Sequence, residues 1–145
     1  MTDFIIDENI VMESHSLTDV HGKESFLSLA FITAFIQSTH RLALNDKIET
    51  KYRDFQDEIK NKGLYSSPIV SKIINRLIKG NIIKVQGIQD EFVGIKKCDK
   101  EFVGVSRQVR GTLVTNDQNL ILKIKEHKLD KEFKTVMIKD AKSEL

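Results

Sequence analysis

The chain has 145 residues, of which 40% are hydrophobic, 30% are charged and one is proline. This composition is typical of one globular domain and excludes a disordered or collagen-like chain. The 23 lysines and arginines exceed the 21 acidic residues by only two charges, which is far from the balance of a dedicated nucleic-acid clamp. Cys98 is the only cysteine, so an intramolecular disulfide and a cysteine-based zinc site are excluded.

No segment has the pattern of a membrane anchor or an export signal. The most apolar segment, residues 26–36, is interrupted by Ser28 and Thr33 and is shorter than the roughly 20 residues that span a bilayer. The first residues include two acids and no basic segment, unlike a signal peptide. We therefore expect a cytoplasmic protein that does not contact a membrane.

Short apolar runs alternate with segments of helical periodicity along the chain. Residues 42–44 are a short apolar stretch between two such segments. The predicted elements, in chain order, are a strand at 4–6, helices at 23–40, 45–61 and 66–80, a strand at 82–85, a helix at 99–110, a strand at 112–115, a helix from 116 through 124 and a strand at 133–138.

This alternation predicts an α/β fold. We expect a three-layer sandwich in which helices cover both faces of a mainly parallel central sheet. One domain accounts for residues 1–139, and residues 140–145 are predicted to be a loose C-terminal tail.

Acidic residues follow two of the predicted strands. Asp7 ends the first strand and Asp117 follows the strand at 112–115, and ligands of open α/β sheets bind outside such strand ends. Asp99 begins the helix before that strand, so a tight helix-turn-strand unit brings it towards Asp117. Crowded carboxylates raise each other's pKa, a cost that a hard cation such as Mg²⁺ or Mn²⁺ removes. A metal ion held by acids can activate water for phosphodiester hydrolysis.

Each of these aspartates also has a simpler interpretation. All three precede a helix or follow a strand, where an aspartate caps free N–H groups without any ligand. Glu101 competes with Asp99 as the candidate metal ligand. Asn9 and Asn116 are residue types that commonly form turns.

Two segments resemble the PIN domain ribonucleases. They are FIIDENIV, residues 4–11, in which an apolar strand runs into Asp-x-Asn, and DKEFVGVSRQVRGTLVTNDQNL, residues 99–120. In the second segment a helix-opening acid, an apolar helix, a glycine and a strand ending in Thr-Asn-Asp follow in the order of the family. The resemblance covers the order of elements over nearly the whole chain, and it implies a PIN-like fold for residues 1–139. It also implies that Asp7, Asp99 and Asp117 are catalytic residues that coordinate the metal. Asn9 and Thr115 or Asn116 would be the polar residues that support them.

The family carries a further acid just before a tyrosine, and this chain departs from that pattern. The local sequence is NDKIETKYRDF, so Lys51 precedes Tyr52. Glu49 is the nearest glutamate, but residues two apart on a helix point roughly 200° apart around the axis. Glu49 is therefore a fourth catalytic and metal-binding candidate only if the helix is rotated, and Asp46 is a second substitute.

The resemblance implies a ribonuclease that uses Mg²⁺ or Mn²⁺, either toxin-like or RNA-processing. Its implied partners are RNA, an antitoxin or other protein, and a second copy in a homodimer. The alternative is a catalytically impaired PIN-like module that binds RNA or a protein partner, because Lys51 places a positive charge beside the acids. A response-regulator receiver is a third, weaker possibility, because it needs a phosphorylatable aspartate at the end of a central strand and no segment offers one convincingly.

The remaining polar residues predict less. The four histidines have no ligand spacing, and Cys98 has no base beside it in the sequence. No glycine-rich nucleotide loop is present. Basic residues around Asp99 predict either a path for phosphates or a solvated face; they are Lys96, Lys97, Lys100, Arg107 and Arg110.

Overall fold

The computed structural model of the protein describes residues 2–19, 21–63 and 67–145. Its strands are β1 (Asp3–Ile6), β2 (Arg41–Leu44), β3 (Ile82–Lys84), β4 (Thr112–Val114) and β5 (Lys134–Val136). Its helices are α1 (Glu8–Ser16), α2 (Leu27–Gln37), α3 (Asp46–Asn61), α4 (Ser67–Lys79), α5 (Lys100–Val109), α6 (Gln118–Glu126) and α7 (Ile138–Ala141), with 3-10 turns at Leu129–Lys131 and Lys142–Glu144.

The five strands form one sheet in the order β3-β2-β1-β4-β5, and every neighbouring pair is parallel. The chain moves from β1 towards β3 on one side and then crosses back to β4 and β5 on the other. Because crossovers between parallel strands are right-handed as a rule, this reversal of direction puts the helices of the two halves on opposite faces of the sheet. The predicted three-layer α/β sandwich is confirmed, with a sheet that is parallel throughout.

The strand order reverses between β1 and β4, and in open parallel sheets the ligand-binding crevice forms at such a point, outside the carboxyl ends of the strands. Ile6 is the register partner of Val114, so Asp7 stands beside Thr115 just past the strand ends. On the other side of β1, the register that pairs Phe4 with Leu42 continues to Asn45. The residues that follow β1, β2 and β4 therefore meet at the carboxyl edge of the sheet.

The core lies on both faces of β1, whose apolar residues are fully buried, as is usual for a central parallel strand. On one face Phe4 packs against Phe31 and Phe35 of α2, with ring centroids 6.1 and 5.5 Å away. The apolar helix at 26–36 is thus a core helix.

Several boundaries differ from the predicted ones. Residues 8–16, which have no predicted element, form α1, and the apolar stretch at 42–44 belongs to β2. Residues 140–145, predicted as a loose tail, complete α7 and a 3-10 turn; Ala141 is buried and Leu145 packs on the core. Ser66, part of the predicted start of α4, lies outside the described residues.

Within residues 2–19, 21–63 and 67–145, no helix is long and apolar enough to cross a bilayer.

Candidate functional site

Asp7 lies in the turn between β1 and α1 and caps that helix. Its Oδ1 accepts a hydrogen bond from the Asn9 N–H at 3.4 Å, and its Oδ2 accepts one from the Thr115 hydroxyl at 2.7 Å. The residue is only 4% exposed. Burial raises the pKa of Asp7 to about 6, the hydrogen bonds from Thr115 and Asn9 oppose this rise, and the negative charges of Asp99 and Glu8 add to it.

Thr115 connects Asp7 to Asp117. The Thr115 hydroxyl, which donates to Asp7, also accepts the backbone N–H of Asp117 at 3.1 Å. Asp117 caps α6, because its Oδ1 accepts the Leu120 N–H at 3.1 Å. One buried hydroxyl therefore links a carboxylate that follows β1 to the segment that follows β4.

Asp99 immediately precedes α5, but its side chain makes no capping hydrogen bond to that helix. Burial raises the pKa of Asp99, and the charge of Asp117 raises it further. The positive charges of Lys51 and Lys96 act in the opposite direction. The charge of Asp99 therefore acts on Asp7, and the charge of Asp117 acts on Asp99.

The carboxylate of Glu49 has other partners. It pairs with Lys84 of β3 at 3.5 Å and with Arg53 of α3 at 3.6 Å. Asp46, the second substitute for the fourth acid, is 88% exposed on its side chain and pairs with the same Lys84 at 3.0 Å. The helix rotation that would turn Glu49 towards Asp99 is therefore not observed.

Lys51 lies on the side of α3 that faces the segment before Asp99 and the start of α1. Its ammonium donates to the Cys98 carbonyl at 2.6 Å, pairs with Oε1 of Glu8 at 3.7 Å and lies 5.3 Å from the centre of the Phe102 ring. Sequence reasoning did not select Glu8, although its position directly after Asp7 was the available signal. The crevice consequently holds four acids and a lysine.

Tyr52 holds the end of β1, next to Asp7, in place. Its hydroxyl donates to the carbonyl of Ile6, the last residue of β1, and the ring is buried. Burial, together with the charges of Asp7 and Glu8, raises the pKa of Tyr52 well above its ordinary value. The neutral phenol therefore fixes the backbone that presents Asp7.

The two predicted supporting asparagines differ in role. Asn116 donates to Oε2 of Glu13 at 2.6 Å and accepts the Ile138 N–H at 3.0 Å, so its side chain joins α1, β4 and α7. The Oδ1 atom of Asn9 is buried and has no hydrogen-bond partner in the described part of the chain. Asn116 is thus occupied structurally, whereas Asn9 retains a free acceptor two residues from Asp7.

Glu101, the alternative to Asp99 as a candidate ligand, belongs to a different hydrogen-bond network. Its Oε2 accepts from Nδ2 of Asn45 at 2.8 Å, and its Oε1 lies 3.4 Å from Nζ of Lys47. Asn45 also caps α3 by accepting the Ile48 N–H at 2.9 Å. This network attaches the first turn of α5, and with it Asp99, to the end of β2.

Basic side chains near the crevice divide into two groups. Arg107 is paired with Asp90 at 2.9 Å and with Glu132 at 3.2 Å, which makes it a structural clamp. Lys96 and Lys97 are exposed in the segment just before Asp99. Of these two lysines, Lys96 acts electrostatically on Asp99.

The donor atoms near Asp7 are all oxygens: the carboxylates of Asp7, Glu8, Asp99 and Asp117 and the free carboxamide oxygen of Asn9. This set suits a hard cation such as Mg²⁺ or Mn²⁺ rather than a thiol- or imidazole-seeking metal. Within the described ranges, no three His, Cys, Asp or Glu side chains are close enough to hold one ion as they stand. Holding one would require the carboxylates to move together, and Asp99 lacks the cap that would fix its rotamer.

Comparison with known proteins adds no relative, since neither a family model nor a curated protein matches the chain. The resemblance to PIN domains stays a prediction that rests on the two segments of the sequence.

Proposed function

We propose that this protein is a PIN-like ribonuclease that uses Mg²⁺ or Mn²⁺ at Asp7, Asp99 and Asp117. One observation carries the proposal: Asp7 is buried at the point where the strand order reverses, with its pKa raised to about 6 beside another acid. Keeping Asp7 ionised at neutral pH with a pKa of about 6 rather than 3.8 costs about 3 kcal/mol. A bound divalent cation would offset that cost.

In this proposal each side chain has a definite task. Asp7 is held in one orientation by Thr115 and Asn9, while Asp99 and Asp117 supply carboxylate oxygens from the other side of the crevice. A bound Mg²⁺ or Mn²⁺ would supply a Lewis acid and a water of lowered pKa.

The substrate class follows from the surroundings of the acids. Phosphate oxygens would be repelled by the carboxylates alone, but the exposed Lys96, whose charge acts on Asp99, and Lys97 beside it in the sequence would attract the backbone of a nucleic acid. Single-stranded or looped RNA is the proposed substrate, because its backbone can be laid into a crevice at a sheet edge. The resemblance extends the proposal to an antitoxin-like protein or a second copy as partners, and to a cytoplasmic location.

The proposal is tested by titrating Mn²⁺ calorimetrically into chelator-treated protein and by incubating single-stranded RNA with and without EDTA. We expect micromolar binding and metal-dependent cleavage for the wild type. The Asp117→Asn variant should lose most of the binding and cleave at least about 100-fold more slowly. Asp57→Asn, at an exposed position of α3, is the matched control and should behave as the wild type.

A second candidate function is favoured by one observation, the Lys51 ammonium in the crevice. A cation fixed beside Asp99 supports a module that binds RNA without cutting it. Such a module should retain its RNA affinity in EDTA and in Asp117→Asn, and filter binding of labelled RNA measures this directly. Wild-type protein that folds but binds no Mn²⁺ would contradict the nuclease and leave this candidate.

A further inference from the structure

Lys51 is held in place rather than free to swing into solvent. Its side chain is 21% exposed, and its ammonium contacts the Cys98 carbonyl at 2.6 Å and Glu8 at 3.7 Å, with the Phe102 ring at 5.3 Å. Cys98 precedes Asp99, so these contacts anchor the positive charge on the side of the crevice that Asp99 occupies. Lys96, the other cation that acts on Asp99, is exposed.

The charges of the crevice can be counted. Its four carboxylates are those of Asp7, Glu8, Asp99 and Asp117. The two ammonium groups that act on Asp99 are those of Lys51 and Lys96. Four negative charges and two positive charges leave a net charge of two negative. One divalent cation balances this remainder. A second would add two positive charges next to the fixed ammonium of Lys51, and the repulsion is strong because the surroundings are partly buried.

Resting on the proposed function, we propose that Lys51 is a built-in cation of the site and that the crevice therefore takes one divalent ion rather than two. The ammonium occupies the space and the charge that a second ion would need. Lys51 is accordingly a positioning residue: it sets how many ions bind and where the bound ion lies relative to Asp99.

Calorimetric titration of Mn²⁺ into the chelator-treated full chain tests this inference without any activity measurement. We expect one ion per wild-type chain and two ions per chain of Lys51→Glu, since the substitution removes the ammonium and adds a carboxylate. Lys60→Glu makes the same charge change at an exposed position of the same helix and should still bind one ion.

The Lys51→Met variant keeps the inference testable if Lys51→Glu does not fold, which circular dichroism establishes. Removing the ammonium alone should strengthen Mn²⁺ binding by about tenfold, because Glu8 is then unpaired and Asp99 loses a neighbouring positive charge. Two ions per wild-type chain, or a stoichiometry and affinity that neither Lys51 variant changes, would overturn the role of Lys51 alone. A wild type that binds no Mn²⁺ would instead contradict the proposed function.

Discussion

The Thr115 hydroxyl donates a hydrogen bond of 2.7 Å to the Asp7 carboxylate, although the two residues are 108 positions apart in the sequence. The same oxygen accepts the N–H of Asp117. The bond joins the ends of β1 and β4, the strands on either side of the reversal in strand order. The geometry of the acidic crevice therefore depends on a neutral side chain that coordinates nothing itself.

Thr115→Val should remove this link while preserving the shape of the side chain. We expect a loss of about 1–2 kcal/mol in the free energy of unfolding at pH 7, because the ionised Asp7 loses a donor. The pKa of Asp7 should rise above about 6, since the Thr115 bond holds it down. Urea denaturation and carboxyl NMR titration measure these two quantities.

The control for that change is Thr112→Val, at the buried first residue of β4, the strand that Thr115 follows. It should leave the pKa of Asp7 unchanged, and Thr115→Ser should restore the wild-type value. A Thr115→Val protein with an unchanged Asp7 pKa would show that the hydroxyl does not act on the carboxylate.

Asp7→Asn should change how stability depends on pH. The folded pKa of Asp7, about 6, lies above the roughly 3.9 of an unfolded aspartate. The folded state therefore binds the proton more tightly, so wild-type stability falls as pH rises from about 4 to about 6 and stays reduced above that. The asparagine does not ionise, so the variant should be more stable than the wild type above pH 6 by up to about 3 kcal/mol.

Unfolding curves in EDTA between pH 4 and pH 8 provide the measurement. The quantity to compare is the difference between variant and wild type, because burial also raises the pKa of Glu13 and gives both proteins a shared pH dependence. If this difference is constant across the range, Asp7 does not carry the raised pKa.

Mn²⁺ should stabilise the folded protein through Asp99 and not through Glu49. At a concentration 100 times the dissociation constant, a ligand adds about 2.7 kcal/mol, which is several degrees in melting temperature for a chain of this size. Asp99→Asn should lose most of this increase. Glu49→Gln should keep it, because Glu49 is paired with Lys84 and Arg53. If Glu49→Gln also loses the increase in melting temperature, Glu49 is a fourth metal ligand after all.

Asn116→Ala should be strongly destabilising without touching a proposed ligand. It leaves the buried Ile138 N–H without its acceptor and leaves Oε2 of Glu13 with only the Ser28 hydroxyl as a donor. We expect a cost of about 2–4 kcal/mol in urea denaturation. The exposed Asn61→Ala at the end of α3 is the comparison and should change stability by less than about 0.5 kcal/mol. Equal effects of the two substitutions would rule out the buried network as the cause.

Much of the fold follows from local patterns in the sequence. Asn45 caps α3 and the helix ends at Asn61, which matches the predicted helix at 45–61. The apolar run of β1 identifies a central strand, and this places Asp7 at the carboxyl edge of the sheet. These features depend on neighbouring residues, which is why the sequence alone predicts them.

Other features depend on contacts between distant parts of the chain. Lys51 and Glu8 are 43 positions apart, and their pairing depends on how α3 is rotated against the sheet, which the periodicity of the helix does not specify. Helix α1 escapes prediction because it is short and carries few apolar residues. Glycine is unfavourable inside a helix, but Gly104 of α5 is explained by such a contact: a Cβ there would lie 2.5 Å from the carbonyl oxygen of Ile88, in the loop between β3 and α5.

The pairing of β1 with β4 has a consequence for the newborn chain. The central strand of the sheet is the first to be synthesised, but its partner on one side emerges on the order of 5–20 s later at ribosomal rates of about 5–20 residues per second. Until then Asp7 has neither Thr115 nor the aspartates that follow. Before that point a nascent chain carries no assembled crevice, and any chemistry performed there begins only after the segment from Asp99 to Asp117 has emerged.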